Sequence, residues 1–424
     1  MKTLAMRLLL IACVIVIWMA GEPASAAEAP RRTERVPAMR ESVYRQLGTA
    51  REQAGNEAYA DALVTLDGLR ERGNLNSYEV AMLWNLYAFV HYSTQDYERA
   101  IGAYENVLAQ QAIPESLENA TLYSLAQMHV VTEKYADALA VLNDWLARVE
   151  EPNANAIMLL GQVHYQLGNY AEARAAIERA VRDARSRNET VRENWYLLLR
   201  AILYAEKDYE RLAAVLEDLV RVYPKREYWV QLSAVYGELG DAKRQLATLE
   251  TAYDLGVLEK ESELVMLAQL LLANGIPYKA GEVLAQGLES GVIETGPDTL
   301  RLLADAWVLA KEYERSVAAL KRAAGTQASG ELDLRLAQVL LEMERYGDAL
   351  QAARDAIEKG GFDQIDDAHL IAGLALYNLE RLDAAADAFA QAAAFEDTGK
   401  MAQQWLDFIG KERARRAALV QGGS

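Results

Sequence analysis

The sequence predicts an all-α chain, a solenoid of about ten helix-turn-helix repeats closed by a C-terminal capping helix. Three observations predict it. A mostly small residue recurs at Ala62, Ala100, Ala138, Ala173, Leu212, Gln245, Ala280, Ser316, Ala349 and Ala385, with spacings of 33 to 39 residues. Tyr stands three residues before this anchor in seven of the ten repeats, as at Tyr59, Tyr97, Tyr170 and Tyr346. Apolar residues recur at helical period, Pro and Phe are scarce, and strand signals are absent.

The unit is most legible from Leu160 to Ala173. Leu160, Gly161 and His164 share a face of one helix, Gly168-Asn169 breaks it, and Tyr170, Ala173, Ile177 and Ala180 form the next. Gly tolerates a left-handed backbone and Asn is the next best, so the pair suits a tight turn. Aromatic plugs, small close-approach positions and a period near 34 residues mark the tetratricopeptide repeat. The expected architecture is a right-handed superhelical solenoid over residues 38–397. Its 424 residues would otherwise make two or three domains, but each repeat buries itself only against its neighbours.

The elements follow in order. Lys2 and Arg7, an apolar run from Leu8 to Ala20 and Ala24-Ser25-Ala26 read as a secretory signal peptide over 1–26. The run is short for a membrane span, which needs about 20 residues; an uncleaved N-terminal anchor is the alternative. Residues 27–37, with Pro30 and Pro37, read as a linker. Repeat 1 begins near Met39, with Val43, Leu47 and Ala50 inward and a turn at Gly55-Asn56. Repeat 2 carries Trp84 to Phe89, repeat 3 Leu122, Leu125 and Ala126, and Pro152 ends the helix before repeat 4. Pro224 closes repeat 5. Repeat 6 is irregular, with Gly240-Asp241-Ala242 as its turn and Gln245 as its anchor. Pro277 opens the second helix of repeat 7, where Pro is tolerated. Repeats 8 to 10 follow around Trp307, Leu336 and Gly373. A capping helix over 398–419 places Met401, Trp405, Phe408 and Ile409 at helical spacing, with Lys411, Arg413, Arg415 and Arg416 opposite. Residues 420–424 read as a disordered tail.

The chemistry is sparse. The net charge is −18, which argues against nucleic acid and anionic lipid and favours basic or neutral partners. The single cysteine, Cys13, falls in the leader, so a mature chain has no disulfide or thiolate ligand. His91, His129 and His164 each stand nine residues before an anchor. A shared metal site is opposed by geometry: equivalent residues of stacked helices lie about 8–10 Å apart, while zinc holds nitrogens at about 2.1 Å. The packing reading has His replace the aromatic usual there, as a packed ring with one hydrogen-bonded nitrogen. No phosphate loop, nucleophile elbow or His-Glu-x-x-His is present, so neither enzyme nor cofactor is expected.

In this repeat class the first helices line the concave surface, and the position eleven before the anchor points into it. Those residues are Gln127, Gln162, Gln269 and Gln338, with Phe89 in repeat 2. Asn85, Tyr92, Tyr123, Asn155, Tyr165, Asn194 and Tyr204 lie nearby. Amides and phenols can bond an extended peptide without demanding charge; the alternative is that they only bridge neighbouring helices. Cations are few at these offsets, Arg51 and Arg301 excepted, so the face is not built to clamp a C-terminal carboxylate.

Several stretches carry a more specific likeness: Val36 to Tyr44, Trp84 to Phe89, Glu193 to Arg200, Tyr223 to Trp229, and Ala273 to Ala280. In order and spacing they resemble the proteobacterial tetratricopeptide proteins described as components of the TonB system, encoded beside TonB, ExbB and ExbD homologues. The resemblance implies a periplasmic, non-catalytic accessory of an energy-transducing complex that drives outer-membrane uptake, with protein partners and no stable membrane insertion once the leader is cleaved. TonB proteins typically carry a Pro- and Lys-rich segment, which an acidic, amide-lined face would suit. The alternative is a general cell-envelope adaptor in polysaccharide export, secretion or outer-membrane assembly. The resemblance supplies no site residues.

Overall fold

The computed structural model describes residues 37–325 and 328–422. The leader, its cleavage site, residues 27–36 of the linker, Gly423 and Ser424 lie outside the described residues. All regular elements among the described residues are helices. They form ten hairpins: α1 (Glu41–Gly55) with α2 (Tyr59–Glu71), α3 (Ser77–Ser93) with α4 (Tyr97–Leu108), α5 (Glu115–Val131) with α6 (Tyr135–Arg148), α7 (Ala154–Gln166) with α8 (Tyr170–Ser186), and α9 (Glu193–Glu206) with α10 (Tyr209–Val222). The second five are α11 (Arg226–Glu238) with α12 (Ala242–Asp254), α13 (Glu261–Ala273) with α14 (Pro277–Glu289), α15 (Pro297–Leu309) with α16 (Tyr313–Ala324), α17 (Glu331–Glu342) with α18 (Tyr346–Lys359), and α19 (Ile365–Asn378) with α20 (Leu382–Ala392). A last helix, α21, runs Glu396–Gly422. It starts before residue 398 and continues through 420–422, where the sequence predicts a disordered tail.

The chain divides into two compact units, one ending at Val215 and one beginning at Leu216. Within each, the first helices of successive repeats touch: α1 with α3, α5 with α7 and α7 with α9 in the first unit, α17 with α19 in the second. In the second unit α21 packs on α19 and α20, and one apolar core runs from Leu246 to Ile409. In the first unit, Val43, Leu47, Leu66 and Leu83 form one of several apolar patches.

One device closes all ten hairpins. The residue five before each anchor is left-handed: Glu57, Gln95, Glu133, Gly168, Lys207, Gly240, Gly275, Lys311, Glu344 and Glu380, with φ from 57° to 78°. The backbone N–H four before the anchor then bonds the carbonyl nine before it, as in Asp96 to His91, Lys134 to His129 and Glu312 to Trp307, each at 2.8 Å. This is the six-to-one bond of a Schellman turn. Only three of the ten residues are Gly, so closure of the hairpin outweighs the roughly 1–2 kcal/mol cost of the left-handed state for other residues. In repeat 1 the turn residue is Glu57, and Gly55 is still helical; the expected Gly55-Asn56 break is two residues early.

The anchors sit where helices meet. Nine are buried, and Gln245 is half-buried. Repeat 6 accommodates Gln245 by placing Gly237 opposite it: a Cβ on Gly237 would lie 2.8 Å from the Gln245 side-chain nitrogen. The small residue has moved from the second helix to the first.

A buried carboxylate ties repeat 1 to repeat 2. Glu79 is the third residue of α3 and caps it reciprocally with Asn76, at 2.9 and 3.0 Å. The Glu79 carboxylate also accepts from the Arg40 guanidinium at 2.6 and 2.9 Å and from its backbone N–H at 2.9 Å. The Arg40 side-chain bonds are the main reason the Glu79 pKa falls to about 2, against desolvation. A depressed carboxylate pKa stabilises the fold above the ordinary value of 4.5, and the gain is lost as pH falls toward about 2. Arg40 is 45% exposed, so solvent screens the pair and its contribution to stability is modest. The unfolding-midpoint difference between the wild type and Arg40→Gln is therefore expected to shrink as pH falls from 4.5 toward about 2. A difference that stays constant across that window contradicts this.

Candidate peptide-binding face

The first-helix residues singled out in the sequence occupy three kinds of place. Tyr204 is 67% exposed and Gln269 is also exposed, while the other ten are half-buried. In the first unit, Tyr92 and Tyr165 stand eight before their anchors and lean on the Tyr three before the same anchors, Tyr97 at 6.2 Å and Tyr170 at 5.6 Å. Their rings are shared with hairpin packing. Phe89 packs with Ala54, Ala62 and Val90, beside Tyr59 and Leu63. Tyr123 lies 5.3 Å from Trp145 and pairs with Gln127. Burial, chiefly, raises the Tyr123 and Tyr165 pKa, so both present neutral phenols. Asn85, Asn155, Gln162 and Asn194 are half-buried on α3, α7 and α9. Among the described residues they are distributed over successive first helices.

The second unit has a defined recess on α15, α17 and α19, of about 250 Å³. Gln338 lines it, and so do Arg301, Asp305, Glu331, Leu334, Arg335, Gln364 and Asp367. Two ion pairs cross from α15 to α17. Arg301 reaches Glu331 at 3.0 Å, and Arg335 reaches Asp305 at 3.0 Å. Arg335 also donates to Oε1 of Gln338 at 3.1 Å, so the oxygen is engaged and the amide N–H groups are the donors Gln338 has left to offer. Sequence reasoning named Gln338 and noted Arg301, and missed the rest. Asp305 was findable, because it stands eleven before Ser316, the offset that Gln338 occupies before Ala349. A second signal was also present. Asp298, Glu331 and Asp367 each stand eighteen before an anchor, in the first turn of a first helix, where acidic side chains are favoured.

Family comparisons bear on the repeat type. The family described as "Anaphase-promoting complex, cyclosome, subunit 3" matches residues 93–180, and the family described as "Tetratricopeptide repeat" matches residues 334–400. The chain carries tetratricopeptide repeats. None of the curated proteins matches it. Among solved structures, YrrB, described as a tetratricopeptide protein with an unusual peptide-binding site, is 19% identical over 41% of this chain and 85% of its own, with a TM-score of 0.34. The C-terminal part of a tetratricopeptide protein from Cytophaga hutchinsonii is 14% identical over 66% of this chain and 94% of its own, with a TM-score of 0.38. MamA is 19% identical over 38% and 92%, with a TM-score of 0.33. Likeness at this level assigns neither ligand nor partner.

The histidines act within the tetratricopeptide hairpins. The carbonyls of His91, His129 and His164 accept the turn-closing bonds. The His91 ring stacks on Tyr87 at 6.2 Å. Nδ1 of His164 approaches the Asn169 amide at 3.4 Å. The expected hydrogen-bonded nitrogen is not found at Nδ1 of His129, which is buried without a partner. Burial pushes the His91 and His129 imidazoles below their ordinary pKa. Among the described residues no group of three or more His, Cys, Asp and Glu is placed to hold a metal ion.

Proposed function

We propose that this chain is a non-catalytic periplasmic scaffold that holds an extended segment of a protein partner against the first helices of its repeats. We assign it to a TonB–ExbB–ExbD type system. The observations that carry the reading are, in the first unit, the row of half-buried amides and phenols on α3, α5, α7 and α9 and, in the second unit taken by itself, the polar recess around Gln338. Such a row offers donors and acceptors to a peptide backbone at successive repeats, with little side-chain entropy to lose. The net charge of −18 suits a basic partner and predicts association that weakens with salt. The periplasmic address rests on the leader, and the TonB assignment on the resemblance of five stretches.

A pull-down from envelope extracts at several salt concentrations tests it. Recovery of a TonB, ExbB or ExbD homologue, falling as salt rises, is the expected result. Salt-independent capture of unrelated proteins, with no member of that complex, overturns the TonB assignment.

A further inference from the structure

The charges lining the recess on α15, α17 and α19 are unequally paired. Arg301 stands fifteen before its anchor Ser316 and pairs with Glu331, which stands eighteen before the next anchor, Ala349. One repeat later the acidic residue is Asp367, eighteen before Ala385, but the residue fifteen before Ala349 is Leu334. Leu334 is buried and apolar, so this position offers Asp367 no cation. The other guanidinium, Arg335, is engaged by Asp305 and Gln338. Among the described residues no cation pairs with Asp367, which lines the recess as a half-buried carboxylate.

We propose that this recess is a specificity pocket for a Lys or Arg side chain of an extended peptide, with Asp367 as its counter-ion and the Gln338 amide as a donor to the peptide backbone. The proposal rests on the reading of the first-helix face as a peptide-binding surface and names the side chain selected there. The walls carry two guanidiniums and three carboxylates, so the recess holds one uncompensated negative charge, and it lies on Asp367. A neutral or acidic side chain would leave that charge desolvated and unpaired, whereas a basic one adds a charge-assisted hydrogen bond. Leu332 and Leu334 give the aliphatic stem of Lys or Arg an apolar wall. Burial, and then Asp366 and Asp397, raise the Asp367 pKa, the direction expected of an anion that lacks a partner.

The test is selection of a displayed library of random linear peptides on the immobilised full chain, followed by titration of the selected peptides. Wild type is expected to enrich peptides with a recurrent Lys or Arg. Asp367→Asn is expected to weaken those peptides about tenfold, and Asp367→Glu to keep the preference. Matched thermal unfolding of the three proteins shows that the change is one of selection. Enrichment without a basic preference, or equal binding to the Asn variant, overturns the pocket and leaves the scaffold reading standing. Absence of any enriched peptide overturns both.

Discussion

Phe389→Ala is expected to destabilise the C-terminal hairpin by about 3–5 kcal/mol. Phe389 on α20 is fully buried. Its ring lies parallel to Trp405 of α21 at 5.5 Å. On its other side is Gly373 of α19, where a Cβ would fall 2.7 Å from the ring. One side chain thus joins three helices, and the Gly is required by its thickness. Repeat arrays add their stability through nearest-neighbour interfaces. The loss should therefore appear first in α19 to α21, before the rest of the second unit. Hydrogen exchange reads this directly: amides of α20 and α21 should lose protection at low urea while those of α13 and α14 keep theirs. Unchanged protection in α20 and α21 would contradict the packing described.

Arg226→Met is expected to cost about 2–3 kcal/mol, and Glu263→Gln about 1 kcal/mol. The Glu263 carboxylate is 7% exposed and bonds the Arg226 guanidinium, which is 27% exposed. It also accepts from the backbone N–H groups of Glu259 at 3.1 Å and Lys260 at 3.2 Å. Removing the guanidinium strands a buried anion. Removing the anion leaves a cation that water can reach, which is the cheaper loss. The value falls short of the 3–5 kcal/mol of a fully buried pair because the backbone donors remain. Urea unfolding of the two variants tests the order; Glu263→Gln costing as much as Arg226→Met would show that the carboxylate is solvated.

The repeat frame was legible because it is written in one-dimensional spacing. The anchors predict ten hairpins, and ten are found. Turn residues were less legible. A Schellman closure imposes the left-handed state on whatever stands five before the anchor, so Glu, Gln and Lys adopt it without a compositional signal. The final helix was read in place, and of its expected apolar face Trp405 and Ile409 pack on the core while Met401 and Phe408 do not. Ala402 and Ile409 are buried against α19 and α20, while Met401 is 52% and Phe408 47% exposed. The basic face is also not simply solvated: Arg413 bonds the Leu382 carbonyl at 2.9 Å and Asp383 at 2.8 Å. The site was legible only where amides recur. Asp305 and Asp367 fell outside a search for neutral groups, and the pairing of Arg335 with Asp305 joins residues 30 apart, which no local pattern displays.

The central claim is that the first helices hold a polypeptide and the second helices do not. Site-specific photo-crosslinking in cells addresses it most directly, with the reactive residue placed at Gln162 or Gln338 on first helices and at Glu178 or Asp355 on second helices. The account predicts one shared protein adduct from both first-helix positions and none from the second-helix positions. Adducts of equal yield from Glu178 and Asp355, or none from Gln162 and Gln338, would contradict it.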